Sequence, residues 1–469
     1  MIDRGEILEL AGEFGLRPDV VEKDYVLGWL LAGISQHPSL GPAWVFKGGT
    51  CLKKCYFETY RFSEDLDFTV EDEDQLSEEF LREAFGEVAA WIYDHSGIEI
   101  PVNQIRFEVY RNPRNGLNCE GRVYYRGPLQ PGGSLPRVKL DLTADERLVR
   151  PPDNRPVTHP YTDGPDDGSI TARCYAFEEV FGEKIRALGE RARPRDLYDV
   201  INLFRNEAFR PAASAILNVV REKCDFKGVP VPSLAALQTF RDELVGDWQA
   251  MLGHQLPTLP PFEAFWSALP EFFAWLEEGA TPAVPAGFPI GVGEEVVRTP
   301  VGGFGVTAGR AGVLEIVRFA AANRLCVDLS YSGTVRRIEP YSLRRTLDGN
   351  LVLHAIRADT GEHRSYRVDR MQGAKATDQA FVPKYAIELT PTGPLPVLPT
   401  TRESGATRSS VRRTSRRSSG RTGPVYVYEC GMCGKKFKRT KQDSRLRPHK
   451  TKDGWQCSGR IGWLADIRY

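Results

Sequence analysis

Apolar and polar positions alternate in "EDLDFTV" (64–70) and "PRVKLDLT" (136–143), the period-two signature of half-buried strands. Elsewhere the rhythm is helical. "DYVLGWLLAGI" reads as a helix, and "AWVFKGG" as a strand running into a Gly-Gly turn. After Tyr175 the pattern is almost wholly helical. Phe177, Val180, Phe181, Ile185 and Leu188 mark one apolar face, on which Lys184 also falls. This first unit, residues 1–285, closes with "PFEAFWSALPEFFAWLEEG". Pro and Gly then crowd a linker placed at 286–308. A second unit over 309–390 opens with the helix "VLEIVRFAAAN" and continues in short strands. Residues 391–424, rich in Ser, Thr and Arg, carry too few apolar groups for a core and are expected to be disordered. A compact module, 425–469, ends the chain.

A length of 469 residues suits several domains. No apolar run reaches the ~18 residues of a membrane span, and the acidic, amphipathic start lacks a secretory pattern. A cytoplasmic protein with reduced thiols is expected. The formal net charge of zero hides an asymmetry. From Thr401 to Tyr469 there are 18 Lys and Arg against 5 Asp and Glu, a balance of +13 that leaves −13 on residues 1–400. Such a tail points to a polyanion or to contact with the acidic body.

Two aspartates on one strand face repel, and burying them adds a desolvation cost. Asp65 and Asp67 stand in that relation, so a cation between them is expected. Mg²⁺ prefers oxygen ligands, and phosphoryl-transfer sites gather carboxylates on rigid strands. Asp141 in "KLDLT" offers a third, with Lys139 on the same face. Gly48, Gly49 and Thr50 form a tight turn where backbone N–H groups could meet a phosphate, with the Thr50 hydroxyl as an extra ligand. Lys184 either snorkels to the edge of its helix face or points at an anionic site. "RARPRDLYDV" packs Arg191, Arg193 and Arg195 beside Asp196 and Asp199, suiting a triphosphate or RNA backbone, or a surface ion-pair cluster.

At the C-terminus, Cys430-x-x-Cys433, His449 and Cys457 supply the three thiolates and one imidazole of a tetrahedral structural zinc. Lys435, Lys436, Lys438, Arg439, Lys441, Arg445 and Arg447, with Phe437 and Trp455, suit nucleic-acid contact. The other six cysteines read as scattered, buried or partly buried thiols.

Together "EKDYVLGWLL", "FKGGTCLKKCYFETYRFSEDLDFTV", "KLDLT", "EEVFGEKIRALGERARPRDLYDV" and "FFAWLEE" resemble the AbiEii family of nucleotidyltransferase toxins over residues 10–280. The resemblance implies an α/β (α+β) nucleotidyltransferase fold, with a short mixed sheet and a helical second half. It implies a toxin of a toxin–antitoxin or phage-defence system that transfers a nucleotide from an NTP, in some members to tRNA. It further implies Asp65 and Asp67 as Mg²⁺ ligands, Asp141 as a third carboxylate, Gly49-Thr50 as the family's Gly-Ser element, Lys184 as the phosphate lysine and Asp199 as the later aspartate. Residues 311–388, through "VDLSYSGTVRRIEPYSL" and "HRSYRVDRM", resemble a WYL domain, an SH3-like β-barrel, although "LVLHAI" replaces the namesake Trp-Tyr-Leu. That resemblance implies a pocket near Tyr331, Arg336, Arg337, Arg367 and Arg370. The readings in play are a toxin with a tRNA acceptor and a cognate antitoxin, a nucleotidyltransferase of protein, and a ligand-sensing nucleic-acid-binding regulator without catalysis.

Overall fold

Strand alternation in the first unit builds a seven-stranded sheet. Its strands are β1 (Trp44–Lys47), β2 (Asp65–Val70), β3 (Arg106–Arg111), β4 (Leu117–Tyr124), β5 (Arg137–Thr143), β6 (Asp153–Pro156) and β7 (Thr171–Cys174). The computed structural model describes residues 1–57, 61–130, 132–164, 170–207, 209–280, 286–289, 291, 293–297, 308–389, 425–430, 432–439, 444–446, 449–451, 456–457 and 462–468. All of 391–424 and much of the expected linker at 286–308 lie outside them. The strand order is β3-β4-β5-β2-β1-β7-β6. β2–β5 and β1–β7 are parallel and the other neighbours antiparallel, so the sheet is mixed.

Alternation gives this sheet two unlike faces. Leu66, Phe68, Leu140 and Leu142 are buried. Trp44 and Phe68 pack on that side, with Phe85 bridging Trp44 and Phe107. Phe85 belongs to α5 (Glu78–Ser96), which follows α1 (Arg4–Phe14), α2 (Pro18–Gln36), α3 (Leu40–Ala43) and α4 (Gly48–Cys51). The other face carries charge in register: Lys47 lies opposite Asp67, Asp67 opposite Asp141, and Asp141 opposite Glu120.

The helical half comprises α6 (Phe177–Arg191), α7 (Pro194–Arg205), α8 (Ala213–Lys227), α9 (Leu234–Gln238), α10 (Arg241–Leu252), α11 (Phe262–Trp266) and α12 (Leu269–Glu278). The apolar face of α6 is buried as its spacing predicts, with Phe181 stacked on Trp275 of α12. Ala192 in the left-handed region ends α6, and Pro194, with φ preset for a first turn, starts α7. The short break therefore aims two charged helix ends at the sheet.

The second unit contains β8 (Glu295–Val296), α13 (Ala308–Ala322), β9 (Leu325–Tyr331), β10 (Thr334–Arg345), β11 (Leu351–Arg357), β12 (His363–Arg367) and β13 (Met371–Ala380). They form an antiparallel sheet in the order β12-β11-β10-β9-β13, with β8 also on β10. Ser332 and Gly333, both at positive φ, make the two-residue hairpin between β9 and β10. This sheet packs with the first unit into one body, Met1–Leu398. Across the seam the Thr258 hydroxyl donates to the Ala376 carbonyl at 3.0 Å.

Pro399–Tyr469 is a separate body. It holds β14 (Val425–Cys430), β15 (Lys436–Arg439), β16 (His449–Lys450), β17 (Gln456–Cys457) and β18 (Gly462–Arg468). β15 and β18 flank β14, and the β16–β17 pair sets His449 opposite Cys457. Among the described residues no helix is long and apolar enough to cross a membrane.

Candidate active site

On the charged sheet face, Asp67 and Asp141 are direct register partners, and Asp65 projects from the same side of β2. A cavity of about 310 Å³ opens there, lined by Gly48, Asp67, Asp141 and Lys184 among the expected residues. Asp65, Gly49, Thr50, Arg195, Asp196 and Asp199 are not part of that wall. Burial pushes the Asp67 carboxyl up to about 6; Asp141 and Asp65 push the same way, against Lys47 and Lys184. Burial also raises Asp65, with Asp141 adding to it and Arg195 opposing. Carboxylates that raise one another are a donor set suited to a hard divalent cation. They are not drawn into a tight cluster. Among the described residues, the groups of three or more ligands with donor atoms within 4.8 Å of one another are cysteine-rich, and Asp141 instead pairs with Lys139 at 3.0 Å.

The two glycines have a steric reason to be there. Gly48 sits at φ 82°, and a Cβ on it would lie 2.2 Å from Asp67 Oδ2. A Cβ on Gly49 would lie 2.5 Å from an Arg61 nitrogen. The expected turn is the first turn of α4, which runs on into a π-helical turn, Leu52–Tyr56. The Thr50 hydroxyl is not a free ligand: it is buried and donates to the Asp65 carbonyl at 2.5 Å, fixing the start of β2.

Lys184 does not snorkel to solvent. Its ammonium lies 2.7 Å from Asp199 and 3.6 Å from Asp196. Arg61 grips Asp199 with two 2.7 Å hydrogen bonds, and Arg191 does the same for Asp196 at 2.8 and 2.9 Å. Burial works to raise both aspartates, but their cations hold them below the usual carboxylate range: Arg61 first for Asp199, Lys184 first for Asp196. Three cations share two carboxylates, so the cluster keeps a net positive charge beside the cavity. "RARPRDLYDV" is thus partly an internal ion network, with Asp196 and Asp199 holding cations rather than facing a ligand.

Lys47 in the cavity wall and Arg61 in the ion network carried little sequence signal. Lys47 follows three apolar strand residues and looks like a strand end, yet it is buried, 3.6 Å from Glu146 and 3.5 Å from Glu183. Burial opposes its charge, but Glu183, Glu146 and Asp67 outweigh that and raise its pKa. Arg61 reaches Asp199 across 138 residues and Gln255 across 194. The one hint was its place just before "FSEDLDF".

In the C-terminal body, Cys430, Cys433, His449 and Cys457 converge, their ligand atoms within 4.8 Å of one another. Cys430 Sγ is 3.8 Å from Cys457 Sγ, and Cys433 Sγ is 3.3 Å from His449 Nε2. That donor set fits tetrahedral zinc. Lys435, Lys436 and Arg445 are exposed, while Lys441, Arg447 and Trp455 lie outside the described residues. In the middle sheet, Tyr331 packs edge-on against Tyr366 and lies under the Arg336 guanidinium. Arg337 is tied to Asp328 and Arg367 to Asp369, while Arg370 is exposed.

The family model described as "Nucleotidyl transferase AbiEii toxin, Type IV TA system" matches residues 29–278. The WYL domain model matches residues 312–376. No curated protein matches. Among solved structures, the chain is similar to MenT4, a nucleotidyltransferase toxin from Mycobacterium tuberculosis H37Rv. Identity is 21%, with 60% of this chain and 91% of that one covered, at a TM-score of 0.38. For JHP933 from Helicobacter pylori the values are 17%, 56%, 96% and 0.37.

Proposed function

Because this chain belongs to the AbiEii family of nucleotidyltransferase toxins, we propose that Asp65, Asp67 and Asp141 hold Mg²⁺ beside an NTP whose nucleotide is passed to tRNA. NTP-dependent nucleotidyl transfer and the toxin–antitoxin class follow from the family, and with them a cognate antitoxin. The metal, the site residues and the acceptor are our reading. One observation carries it: Asp67 and Asp141 stand in register on one sheet face, across a cavity from Lys184.

Mg²⁺ bound there would neutralise charge on the transferred phosphoryl group. The chain's own residues do the rest. Lys184, aimed by Asp199 and Asp196, meets the triphosphate with the cluster's net positive charge. Arg61 and Arg191 hold those aspartates and keep them from neutralising the lysine fully. Gly48 leaves room for the Asp67 carboxylate, and Thr50 anchors the backbone of Asp65. Arg195, whose charge acts on Asp65, steadies the outer carboxylate. In the C-terminal body, zinc on Cys430, Cys433, His449 and Cys457 would hold a basic surface for RNA.

Purified protein incubated with each labelled NTP, Mg²⁺ and total tRNA tests this reading. Label should enter tRNA with wild type and not with Asp67→Ala. Label in protein alone would overturn the tRNA assignment, and equal labelling by both proteins would overturn the site.

A further inference from the structure

Three cysteines outside the catalytic set meet in the core. Cys51 ends α4, Cys55 lies in the π-helical turn after it, and Cys174 ends β7. The pairing of Phe46 with Cys174 brings β7 beside β1, the strand that leads into α4. All three thiols are fully buried, and their sulfurs lie within 4.8 Å of one another. Isolated buried cysteines are ordinary small core residues. Three sulfurs brought together from two distant segments form a ligand set. Beside it the buried Arg155 donates from Nε to the Cys55 carbonyl at 3.0 Å and lies 4.4 Å over the Tyr56 ring.

We propose that Cys51, Cys55 and Cys174 form an internal site for a soft monovalent cation of the cuprous class. The proposal rests on this cluster alone and not on the catalytic reading. Thiolates favour soft ions, whereas structural zinc takes four ligands and hard cations take oxygen. On binding, thiol protons leave to solvent and metal–sulfur bonds form, with no change of oxidation state. Two thiolates on a monovalent ion leave one negative charge, which Arg155 offsets in the core, and the third sulfur completes a three-coordinate set.

The test uses the full chain carrying Cys430→Ser, Cys433→Ser and Cys457→Ser, so that no thiolate of the C-terminal cluster can take the metal. Cu(I) is presented anaerobically from a bicinchoninate complex, and bound copper is measured after desalting. About one copper per chain is expected, with an X-ray absorption spectrum showing a three-coordinate, sulfur-only shell. Adding Cys55→Ala or Cys174→Ala should abolish retention while far-UV circular dichroism stays unchanged. No copper retained, a shell containing nitrogen or oxygen, or retention unchanged by either alanine would overturn the proposal. If an alanine variant unfolds, the absorption spectrum of the chain with the intact trio still decides.

Discussion

Asp67 carries an electrostatic cost in the folded protein. Its carboxyl is raised from 3.8 to about 6 by burial and then by Asp141. The folded chain therefore keeps a proton that the unfolded chain has already lost between those values. Stability should fall as pH rises through that window, and stay lower above it. Asp67→Asn should remove the penalty. In chelator, the variant is expected to be about 3 kcal/mol more stable than wild type at pH 8, with the gap closing below pH 4, as denaturant titrations would show. It should transfer no nucleotide. Added Mg²⁺ should raise the Tm of wild type more than that of the variant, and more at pH 8 than at pH 5, since protons compete for the ligands. Lys184→Ala acts in the opposite sense. It should cost roughly 1.5–3 kcal/mol in kcat/KM for NTP, the worth of a charge-assisted hydrogen bond. It should also lower stability, because Asp199 and Asp196 lose a buried partner. Wild-type kinetics in this variant would reduce the lysine to a structural role.

At the level of elements, the junction of β1 with α4 is tightly constrained backbone beside the cavity. Gly48→Ala would place a methyl group against Asp67 at a φ that costs an L-residue about 1–2 kcal/mol. Displacing the carboxylate should depress kcat far more than Tm, which steady-state kinetics beside a melting curve would separate. Arg61 is a second element-level control. It joins the segment before β2 to α7 through Asp199, and to the loop after α10 through Gln255. Arg61→Ala should destabilise by about 3–5 kcal/mol, because it leaves a buried carboxylate with one cation fewer.

For the whole molecule, the two bodies should separate experimentally. Cys430→Ser should release about one zinc per chain and unfold 425–469, since metal binding supplies most of a small module's folding free energy. The catalytic unit has its own core and should keep its near-UV circular dichroism. Deleting 401–469 should leave NTP binding intact but weaken RNA association. A shallower salt dependence should accompany it, because fewer counterions are released. Unchanged RNA affinity across a salt series would make the tail a docking arm for protein.

Local rules settle a good part of this protein from residue order alone. Period two places Asp65 and Asp67 on one face, helical spacing buries the α6 stripe with Lys184 in it, and Cys-x-x-Cys with a later His and Cys reads as a zinc set. The first two depend only on near neighbours along the chain, and the third on residue types and spacing within one short module. What lay far apart in sequence was decided by packing. Strand register, not spacing, sets Asp141 opposite Asp67. Long-range contact turns Asp199 from an expected site residue into the support that aims Lys184, and ties Arg61 to the same aspartate. The cysteines expected to be scattered include three whose sulfurs meet only because β7 runs beside β1. A sequence shows which side chains share a face of one element, because backbone geometry is local; which faces meet depends on burying the whole apolar surface at once.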